Sequence, residues 1–579
     1  MSAPNLSIAA LRDGYRRRLF TPQDVAQDVL SRISAYRDPA VWITRVPDDT
    51  LLSRACDLPS DPAVIESLPL YGIPFAVKDN MDVAGMSTTA GCPAYAYLAT
   101  KTAFVVARLL EAGAMLVGKT NLDQFATGLV GTRSPYGAPR CVFDDRYISG
   151  GSSSGSAVAV AADLCSFALG TDTAGSGRVP AAFNNIVGLK PTKGRLSTNG
   201  VVPACRTLDC VTIFAKTAHE ALAVADVAAA FDAADPYARV GDDVALPRGR
   251  FCFGILAAED REFCGDGDAA ELYNAAIARL QGCGGTPIEI DYAPFRETAA
   301  LLYGGPWVAE RLAAIAPFFR EHAADMDPTV RTVIGGAARY SALDAFGGAY
   351  ALRALERRAA RAWQDIDVLL LPTTPTIFSI AEVEADPIGR NTILGTYTNF
   401  VNLLDYCAIA VPAGFRSRDG LPLGVTLIAP AHADRSLALL AQHFGHEGEE
   451  RILLAVAGAH LSGLPLHGQL LDLGAIFVRA CKTAESYRLF ALANTTPAKP
   501  GLVRDPTFRG DGIALEVWSL DAAALGHFVA AVPAPMSIGK ITLEDETTVT
   551  GFLCEPFAIH GAREITSYGG WRAFVAQQM

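Results

Sequence analysis

Residues 149–156 read Ser-Gly-Gly-Ser-Ser-Ser-Gly-Ser, and residues 170–178 read Gly-Thr-Asp-Thr-Ala-Gly-Ser-Gly-Arg. Glycine and serine at this density allow unusual backbone angles and a close approach to a ligand. The run that follows the first stretch, residues 157–162, can form a helix whose first amides face an anion. A phosphate loop and a linker share this composition. Neither fits, because the stretch lacks the Gly-Lys-Ser/Thr ending of a nucleotide loop and its neighbours are apolar.

A nucleophilic serine in these loops needs a base, and the usual base is missing nearby. Residues 1–218 contain no histidine, which excludes a Ser-His-Asp triad within this segment. Lys78 follows the apolar, strand-like run of residues 73–77. A lysine buried there loses its proton more easily, because burial disfavours the ammonium form. Lys78 is therefore the candidate base, and a surface lysine paired with Asp79 or Asp82 is the alternative.

These segments resemble the amidase signature family, whose hallmark is one lysine and two serines. The resemblance runs over roughly residues 5–445 and includes residues 118–121 and 188–192. It implies cleavage of a carbon–nitrogen amide bond, with Ser176 as nucleophile, Ser152 as bridging serine after a cis peptide bond, and Lys78 as final proton acceptor. For Ser176 alone, a turn serine is the alternative interpretation.

The family pattern also implies roles for the residues around the nucleophile. The oxyanion hole would be formed by the backbone N–H groups of Thr173, Ala174 and Gly175; each such donor is worth roughly 2.7–4 kcal/mol of transition-state stabilisation. Arg178 falls at the family's structural arginine. Two positions depart from the pattern, because Ala174 stands where many members have glycine and Gly177 replaces an aliphatic residue. Neither change removes a reacting group.

The segment upstream of the serine loops narrows the resemblance. Residues 121–128, together with residues 171–180, are more similar to allophanate hydrolases than to generic amidases. Tyr303 and Arg311 match the substrate-recognition tyrosine and arginine of that group in spacing. The implied substrate is allophanate (urea-1-carboxylate), whose carboxylate suits a guanidinium with two parallel donors. An exposed helical Arg311 paired with Glu310 or Glu321 is the alternative. A broad-specificity amidase or a glutamine amidotransferase A subunit would share every catalytic residue.

The chain of 579 residues is longer than one hydrophobic core usually serves, which predicts two domains. Short apolar runs alternate with Ala-rich helical stretches, and this pattern predicts an α/β protein with a mixed central sheet sandwiched by helices. It agrees with the amidase signature fold. Residues 408–412 and 424–428 flank Asp419-Gly420, a turn signal that predicts a hairpin. We place an amidase domain at residues 1–455 and a C-terminal domain at residues 460–579.

By resemblance, the C-terminal domain has a small α/β fold similar to γ-glutamyl cyclotransferases. In the family it decarboxylates the N-carboxycarbamate that the amidase step leaves, so that the products are ammonia and carbon dioxide. Candidate proton carriers are His467, His527 and His560, because imidazole titrates near neutrality; each can equally be an ordinary structural histidine. An oligomerisation or docking module for a urea carboxylase partner is the other interpretation.

Composition limits the partners of the chain. A formal net charge of -12 and the lack of a basic patch argue against nucleic acid. The first forty residues contain no continuous apolar stretch, so neither a signal peptide nor a membrane anchor is expected, and a cytoplasmic location is. The twelve cysteines are scattered, which is typical of reduced packing residues. No metal or cofactor is expected. The resemblance implies a homodimer that acts downstream of urea carboxylase in ATP-dependent urea degradation.

Overall fold

The computed structural model describes residues 4–247, 250–445, 451–473, 475–493, 495 and 497–577. It divides into two compact units, residues 1–445 and residues 446–579. We describe each unit by itself. None of the helices in these ranges combines the length and apolar character that a bilayer crossing requires.

The first unit contains an 11-stranded mixed sheet. The strands of this unit, including a small hairpin of two short strands, are β1 (Trp42–Arg45), β2 (Pro74–Lys78), β3 (Ser87–Thr88), β4 (Tyr97–Leu98), β5 (Met115–Thr120), β6 (Phe167–Asp172), β7 (Val187–Lys190), β8 (Cys210–Ala215), β9 (Phe251–Leu256), β10 (Gly285–Ile290), β11 (Val368–Pro372), β12 (Cys407–Phe415) and β13 (Pro422–Ala429). The large sheet has the order β1-β5-β2-β6-β8-β7-β12-β13-β11-β9-β10.

Helices pack against this sheet. They are α1 (Ile8–Arg16), α2 (Pro22–Ala35), α3 (Asp48–Cys56), α4 (Pro62–Ser67), α5 (Phe104–Glu111), α6 (Ser154–Ala161), α7 (Val179–Phe183), α8 (Ala218–Ala228), α9 (Gly267–Gly282), α10 (Ala293–Gly304), α11 (Trp307–His322), α12 (Pro328–Gly335), α13 (Ala342–Ala359), α14 (Ile380–Ala385), α15 (Gly389–Leu394), α16 (Phe400–Leu403) and α17 (Asp434–Gly445). The mixed sheet with helical layers confirms the predicted fold class of the first domain.

Helix α6 shows why the serine-rich stretch folds as it does. Its residues from Ser154 to Val160 are buried, which small side chains permit. A Cβ atom added at Gly155 would lie 2.3 Å from the carbonyl oxygen of Val41 and 2.6 Å from the backbone nitrogen of Asn121. Glycine is therefore needed where this helix crosses the chain segments beside it. The close packing fixes the residues just before α6, where Ser152 lies.

The second unit has its own core and a 5-stranded sheet of order β15-β18-β14-β20-β19. A 3-stranded sheet of order β17-β16-β21 accompanies it. The elements are β14 (Arg451–Val456), α18 (His467–Asp472), β15 (Ile476–Lys482), β16 (Tyr487–Ala491), β17 (Pro500–Arg504), β18 (Ala514–Asp521), α19 (Ala522–Ala530), β19 (Met536–Thr542), β20 (Thr548–Cys554), β21 (Arg563–Glu564) and α20 (Trp571–Ala576).

The predicted domain boundary is wrong by about ten residues. The sequence analysis assigns residues up to 455 to the first domain, whereas the units meet at residues 445 and 446. Strand β14 lies in the middle of the second sheet, between β18 and β20. Its apolar residues were counted with the loop before them, because the charged residues 446–450 read as the end of a domain; those five residues lie outside the described ranges. The hairpin of β12 and β13 is confirmed.

Candidate active site

The candidate base lies at the end of a buried strand. Lys78 is the last residue of β2, which pairs in parallel with β6, and its side chain is fully buried. Its Nζ lies 2.7 Å from Ser152 Oγ and 2.8 Å from Thr171 Oγ1. The alternative of a surface lysine paired with Asp79 is therefore excluded; Asp79 instead forms a buried ion pair with Lys119 at 3.0 Å.

Burial lowers the pKa of Lys78 to about 7. The carboxylates of Asp123, Asp209 and Asp172 oppose this shift, and the positive charge of Arg311 adds to it. Removing an ammonium group from water is the dominant effect, because the charged form loses its hydration. A substantial fraction of Lys78 is uncharged at neutral pH, which is what a general base requires.

Ser152 is placed by the tight turn before α6. The Gly151–Ser152 peptide bond is cis, and the Ser152 side chain is fully buried. A Cβ atom at Gly151 would lie 2.1 Å from Asp123 Oδ2, so this position admits only glycine. The next residue, Ser153, bonds the backbone of Thr171 through its hydroxyl, at 3.1 Å to the carbonyl oxygen and 3.3 Å to the nitrogen.

The nucleophile candidate lies beside this pair. Ser176 is buried, with 2% of its surface exposed, and its hydroxyl donates to the carbonyl oxygen of Gly128 at 3.5 Å. Within the part of the chain that the structure describes, no hydrogen bond joins Ser176 to Ser152. The Lys78–Ser152 link is thus formed, whereas the second link needs the Ser176 hydroxyl to turn from Gly128 toward Ser152.

A buried ion pair shapes the loop that carries Ser176. The Asp172 carboxylate accepts hydrogen bonds from the backbone N–H groups of Gly175 at 2.9 Å and Gly177 at 3.0 Å. It also pairs with Arg178, whose Nε lies 2.9 Å away, and both side chains are fully buried. Burial alone would raise the pKa of Asp172, but Arg178 outweighs it and the net pKa is lowered. Asp172 is therefore ionised and holds the loop.

This arrangement changes the set of oxyanion donors. The Gly175 N–H is predicted to face an oxyanion, but it donates to Asp172. The N–H groups of Thr173 and Ala174, and that of Ser176 itself, donate to no other group in the described ranges. Thr173 is fixed through its side chain, because its hydroxyl donates to Asp209 at 2.5 Å. The available donors are thus Thr173, Ala174 and Ser176, of which sequence reasoning missed the last.

Arg311 is a buried cation near this loop. Only 2% of its surface is exposed, which excludes the alternative of a solvated helical arginine, and Glu310 instead accepts from Thr207. The Arg311 Nη2 donates to the Tyr303 hydroxyl at 3.4 Å, and its guanidinium carbon lies 5.3 Å from the centre of the Tyr303 ring. Arg311 forms no ion pair with any carboxylate in the described residues. Tyr303 and Arg311 are thus brought together, as the spacing predicts.

The loop of residues 125–128 connects Arg311 with the nucleophile. Arg311 Nη1 lies 3.1 Å from Thr127 Oγ1 and 3.4 Å from the carbonyl oxygen of Ala126, and the next residue, Gly128, receives the Ser176 hydroxyl. Phe125 and Ala126 have φ values of 51° and 52°, which side chains other than glycine rarely adopt. The sequence motif included this loop but gave no indication of its contacts.

Comparison with known proteins agrees with this geometry. Residues 24–438 match the Amidase family, and residues 452–576 match the family described as allophanate hydrolase C-terminal domain. The chain belongs to the amidase family. It is therefore an amidohydrolase, and its second unit matches a separate family of its own.

Individual relatives of this amidase extend the match to both units. The urea amidolyase of Lachancea kluyveri is 43% identical over 96% of this chain, and the allophanate hydrolase of Kluyveromyces lactis is 40% identical over 100% of both chains, with a TM-score of 0.74. In Deinococcus deserti, the A component of the glutamyl-tRNA(Gln) amidotransferase is 34% identical over 65% of this chain and 83% of its own length. The chain spans about a third of the length of the urea amidolyases it matches.

The second unit of the amidase encloses a cavity of about 290 Å³. Its polar lining includes His460, Gln469 and Lys499, and its apolar lining includes Phe528 and Phe552. The His460 ring stacks on Phe552 at 5.3 Å, and its Nε2 lies 3.0 Å from Gln469 Oε1. Burial lowers the pKa of His460, so its imidazole is uncharged at neutral pH.

The three histidines proposed from sequence do not line this cavity. His467 begins α18 and packs against Trp518, with ring centres 5.3 Å apart. His527 and His560 are exposed. His460 was missed because nothing in its sequence neighbourhood distinguishes it; the segments that make the cavity come from distant parts of the second unit.

Proposed function

We propose that this amidase hydrolyses allophanate. The observation that carries the proposal is Arg311, a buried guanidinium that faces Tyr303, lacks a carboxylate partner among the described residues and shares a loop with Ser176. A buried charge without a counter-ion is costly, and a substrate carboxylate would supply the missing partner through two parallel hydrogen bonds. The full-length similarity to the allophanate hydrolase of Kluyveromyces lactis supports the same substrate.

The relay then works as follows. Uncharged Lys78 accepts the proton of Ser152 while Ser152 accepts that of Ser176, and the Ser176 oxygen attacks the terminal amide carbonyl of allophanate. The N–H groups of Thr173 and Ala174 would stabilise the oxyanion. The proton returns along the relay to the leaving nitrogen, so that ammonia departs as the C–N bond breaks. Water activated by the same relay then hydrolyses the acyl-enzyme to N-carboxycarbamate.

A second step would take place in the C-terminal unit. We assign it to the cavity lined by His460 and Lys499, because the product of the first step carries two carboxylates and Lys499 supplies a cation. Decarboxylation takes up one proton on nitrogen and releases one carbon dioxide, leaving carbamate, which breaks down to ammonia and carbon dioxide. His460, uncharged at neutral pH, is suited to proton transfer there. Docking or oligomerisation is the alternative role of this unit.

The remaining features of the proposal concern the setting of the enzyme. Allophanate must come from carboxylation of urea, so a urea carboxylase is the proposed supplier, and the similarity to urea amidolyases supports this pairing. We propose a homodimer acting in the cytoplasm. The cysteines of the described ranges form no disulfide, which is compatible with that compartment.

The testing experiment measures ammonia release from allophanate, glutamine and a neutral aliphatic amide by the wild type and by Arg311→Ala. We expect the variant to raise KM for allophanate at least about tenfold, since a buried charge-assisted contact is worth about 1.4 kcal/mol or more, with a smaller effect on the neutral amide. Equal effects on both substrates would overturn the assignment. Preference for glutamine would favour the amidotransferase alternative, and Ser176→Ala controls for ammonia from another source.

A further inference from the structure

We propose that Thr171 is a positioning residue that aims the lone pair of Lys78 at Ser152. The Lys78 Nζ has two hydroxyl oxygens within hydrogen-bond distance, Ser152 Oγ at 2.7 Å and Thr171 Oγ1 at 2.8 Å. Ser152 has a place in the proposed relay, and Thr171 has none. The inference rests on that relay, in which Lys78 is the base.

The hydrogen count of the base gives Thr171 its role. An uncharged lysine amine has two N–H bonds and one lone pair. To receive the Ser152 proton, the lone pair must face Ser152 Oγ, so both N–H bonds must point elsewhere. Thr171 Oγ1 accepts one of them. A hydroxyl suits this position because it accepts without adding charge, whereas a carboxylate would favour the ammonium form and remove the base.

Thr171 is itself held by the residue next to Ser152. The Ser153 hydroxyl bonds both backbone groups of Thr171, at 3.1 Å and 3.3 Å. The contacts therefore form a closed circuit from Lys78 to Ser152, along the chain to Ser153, across to Thr171 and back to Lys78. The Asn80 Nδ2 lies 3.4 Å from Thr171 Oγ1 and attaches the circuit to the end of β2. Thr171 is 3% exposed, so water does not replace its hydroxyl.

The charged groups around Lys78 are separate from Thr171. Asp123, Asp209 and Asp172 raise the pKa of Lys78, Arg311 lowers it, and burial dominates to give a value of about 7. Replacing Thr171 leaves all four charges in place. Loss of its hydroxyl removes an acceptor that the ammonium form, with three N–H donors, needs more than the uncharged amine does. The pKa of Lys78 therefore falls further in a variant without the hydroxyl.

The experiment compares full-length Thr171→Val, which has a similar volume and no hydroxyl, with Thr171→Ser, which keeps the hydroxyl. Two rates are followed against pH: ammonia release from allophanate, and phosphonylation of the nucleophilic serine by a fluorophosphonate, which does not depend on the natural substrate. For Thr171→Val we expect kcat to fall about tenfold or more, because misdirected proton transfer is slow, with KM within about twofold. The acid limb of both profiles moves to lower pH. Thr171→Ser recovers most of both rates.

Several outcomes would overturn the inference. Wild-type rates and pH profiles in Thr171→Val would do so, and so would a Thr171→Ser variant as impaired as Thr171→Val, since the methyl group would then matter instead of the hydroxyl. If Thr171→Val does not fold, Thr171→Ala serves in its place, and wild-type values in that variant reject the role. Full activity in Lys78→Met or Ser176→Ala would reject the relay itself. Inactivity of both, with unimpaired Thr171→Val, rejects only the role of Thr171.

Discussion

Arg311 and Ser176 are hydrogen-bonded to the same short loop. Arg311 donates to Thr127 Oγ1 at 3.1 Å, and Ser176 donates to the carbonyl oxygen of the next residue, Gly128, at 3.5 Å. The position of a carboxylate bound by Arg311 is therefore fixed relative to the nucleophile by two adjacent residues. A substrate with a carboxylate at the wrong distance from its amide would bind without placing its carbonyl at Ser176. The loop thus couples substrate selection to reaction geometry.

This coupling predicts the effect of Thr127→Val. The substitution removes an acceptor of Arg311, so the guanidinium should be less well oriented, and hydrogen bonds to charged groups contribute about 1.5–3 kcal/mol. We expect KM for allophanate to rise about tenfold, with a smaller change for a neutral amide. Steady-state kinetics on both substrates provide the test. Thr127→Ser, which keeps the hydroxyl, is the matched control, and an equal defect in both variants would contradict the argument.

The pKa of Lys78 predicts the pH dependence of the reaction. Lys78 must be uncharged to accept a proton, and its pKa is about 7, so kcat/KM should rise with pH through about 7 and level off above it. Below that value the rate should fall about tenfold per pH unit. A profile measured with a neutral amide avoids titration of the substrate. An acid limb near pH ~10, the usual range of an exposed lysine, would mean that Lys78 is not the base.

Neighbouring charges should move this limb in opposite directions. Asp209 raises the pKa of Lys78 and Arg311 lowers it, so Asp209→Asn should shift the midpoint to lower pH and Arg311→Ala to higher pH. Asn at position 209 can still accept the Thr173 hydroxyl, whose bond to Asp209 is 2.5 Å long in the wild type. A shift of the same sign in both variants would point to a general loss of structure.

Much of the site could be predicted from sequence because its parts are local. Ser152 and Ser176 lie in short glycine-rich stretches whose spacing is itself the signal, and Lys78 follows an apolar strand. The contacts of Thr171 and Gly128 could not be predicted, since they depend on how β6 and the loop before the serine stretch meet in space. Gly175 was assigned to the oxyanion hole because a motif gives positions but not the direction of an N–H group, and that group bonds Asp172.

The second unit was harder to interpret for a physical reason. The strands found from sequence, near residues 487–492, 512–520 and 549–553, have strongly apolar runs, and each coincides with an observed strand. Strand β19 was missed because its residues from Met536 to Lys540 are only partly buried or exposed, so it shows no alternation. Strand β17 begins with Pro500-Gly501, which reads as a turn. A small unit with partly exposed sheets gives weak patterns.

The Asp172–Arg178 ion pair predicts a stability effect separate from catalysis. Both side chains are fully buried, and removing one partner of such a pair costs about 3–5 kcal/mol, because the other charge is left uncompensated. Arg178→Met should therefore lower the Tm of the first unit markedly. Arg435→Met is the matched control, since its pair with Asp226 is about 40% exposed on each side and surface pairs contribute about 0–1 kcal/mol. Equal changes in Tm, measured by calorimetry, would contradict the assigned role of the buried pair.

The cavity of the second unit makes the last prediction, which separates the two proposed steps. In full-length His460→Ala, the amidase relay is untouched, so release of the first ammonia from allophanate should keep its wild-type rate. Carbon dioxide should appear more slowly, by about tenfold or more if His460 transfers a proton, and N-carboxycarbamate should accumulate. Rapid-mixing measurements of ammonia and carbon dioxide on one sample give both rates. His527→Ala, at an exposed position of the same unit, is the control. Unchanged carbon dioxide release in His460→Ala and Lys499→Ala would exclude this cavity as the site and favour a docking role.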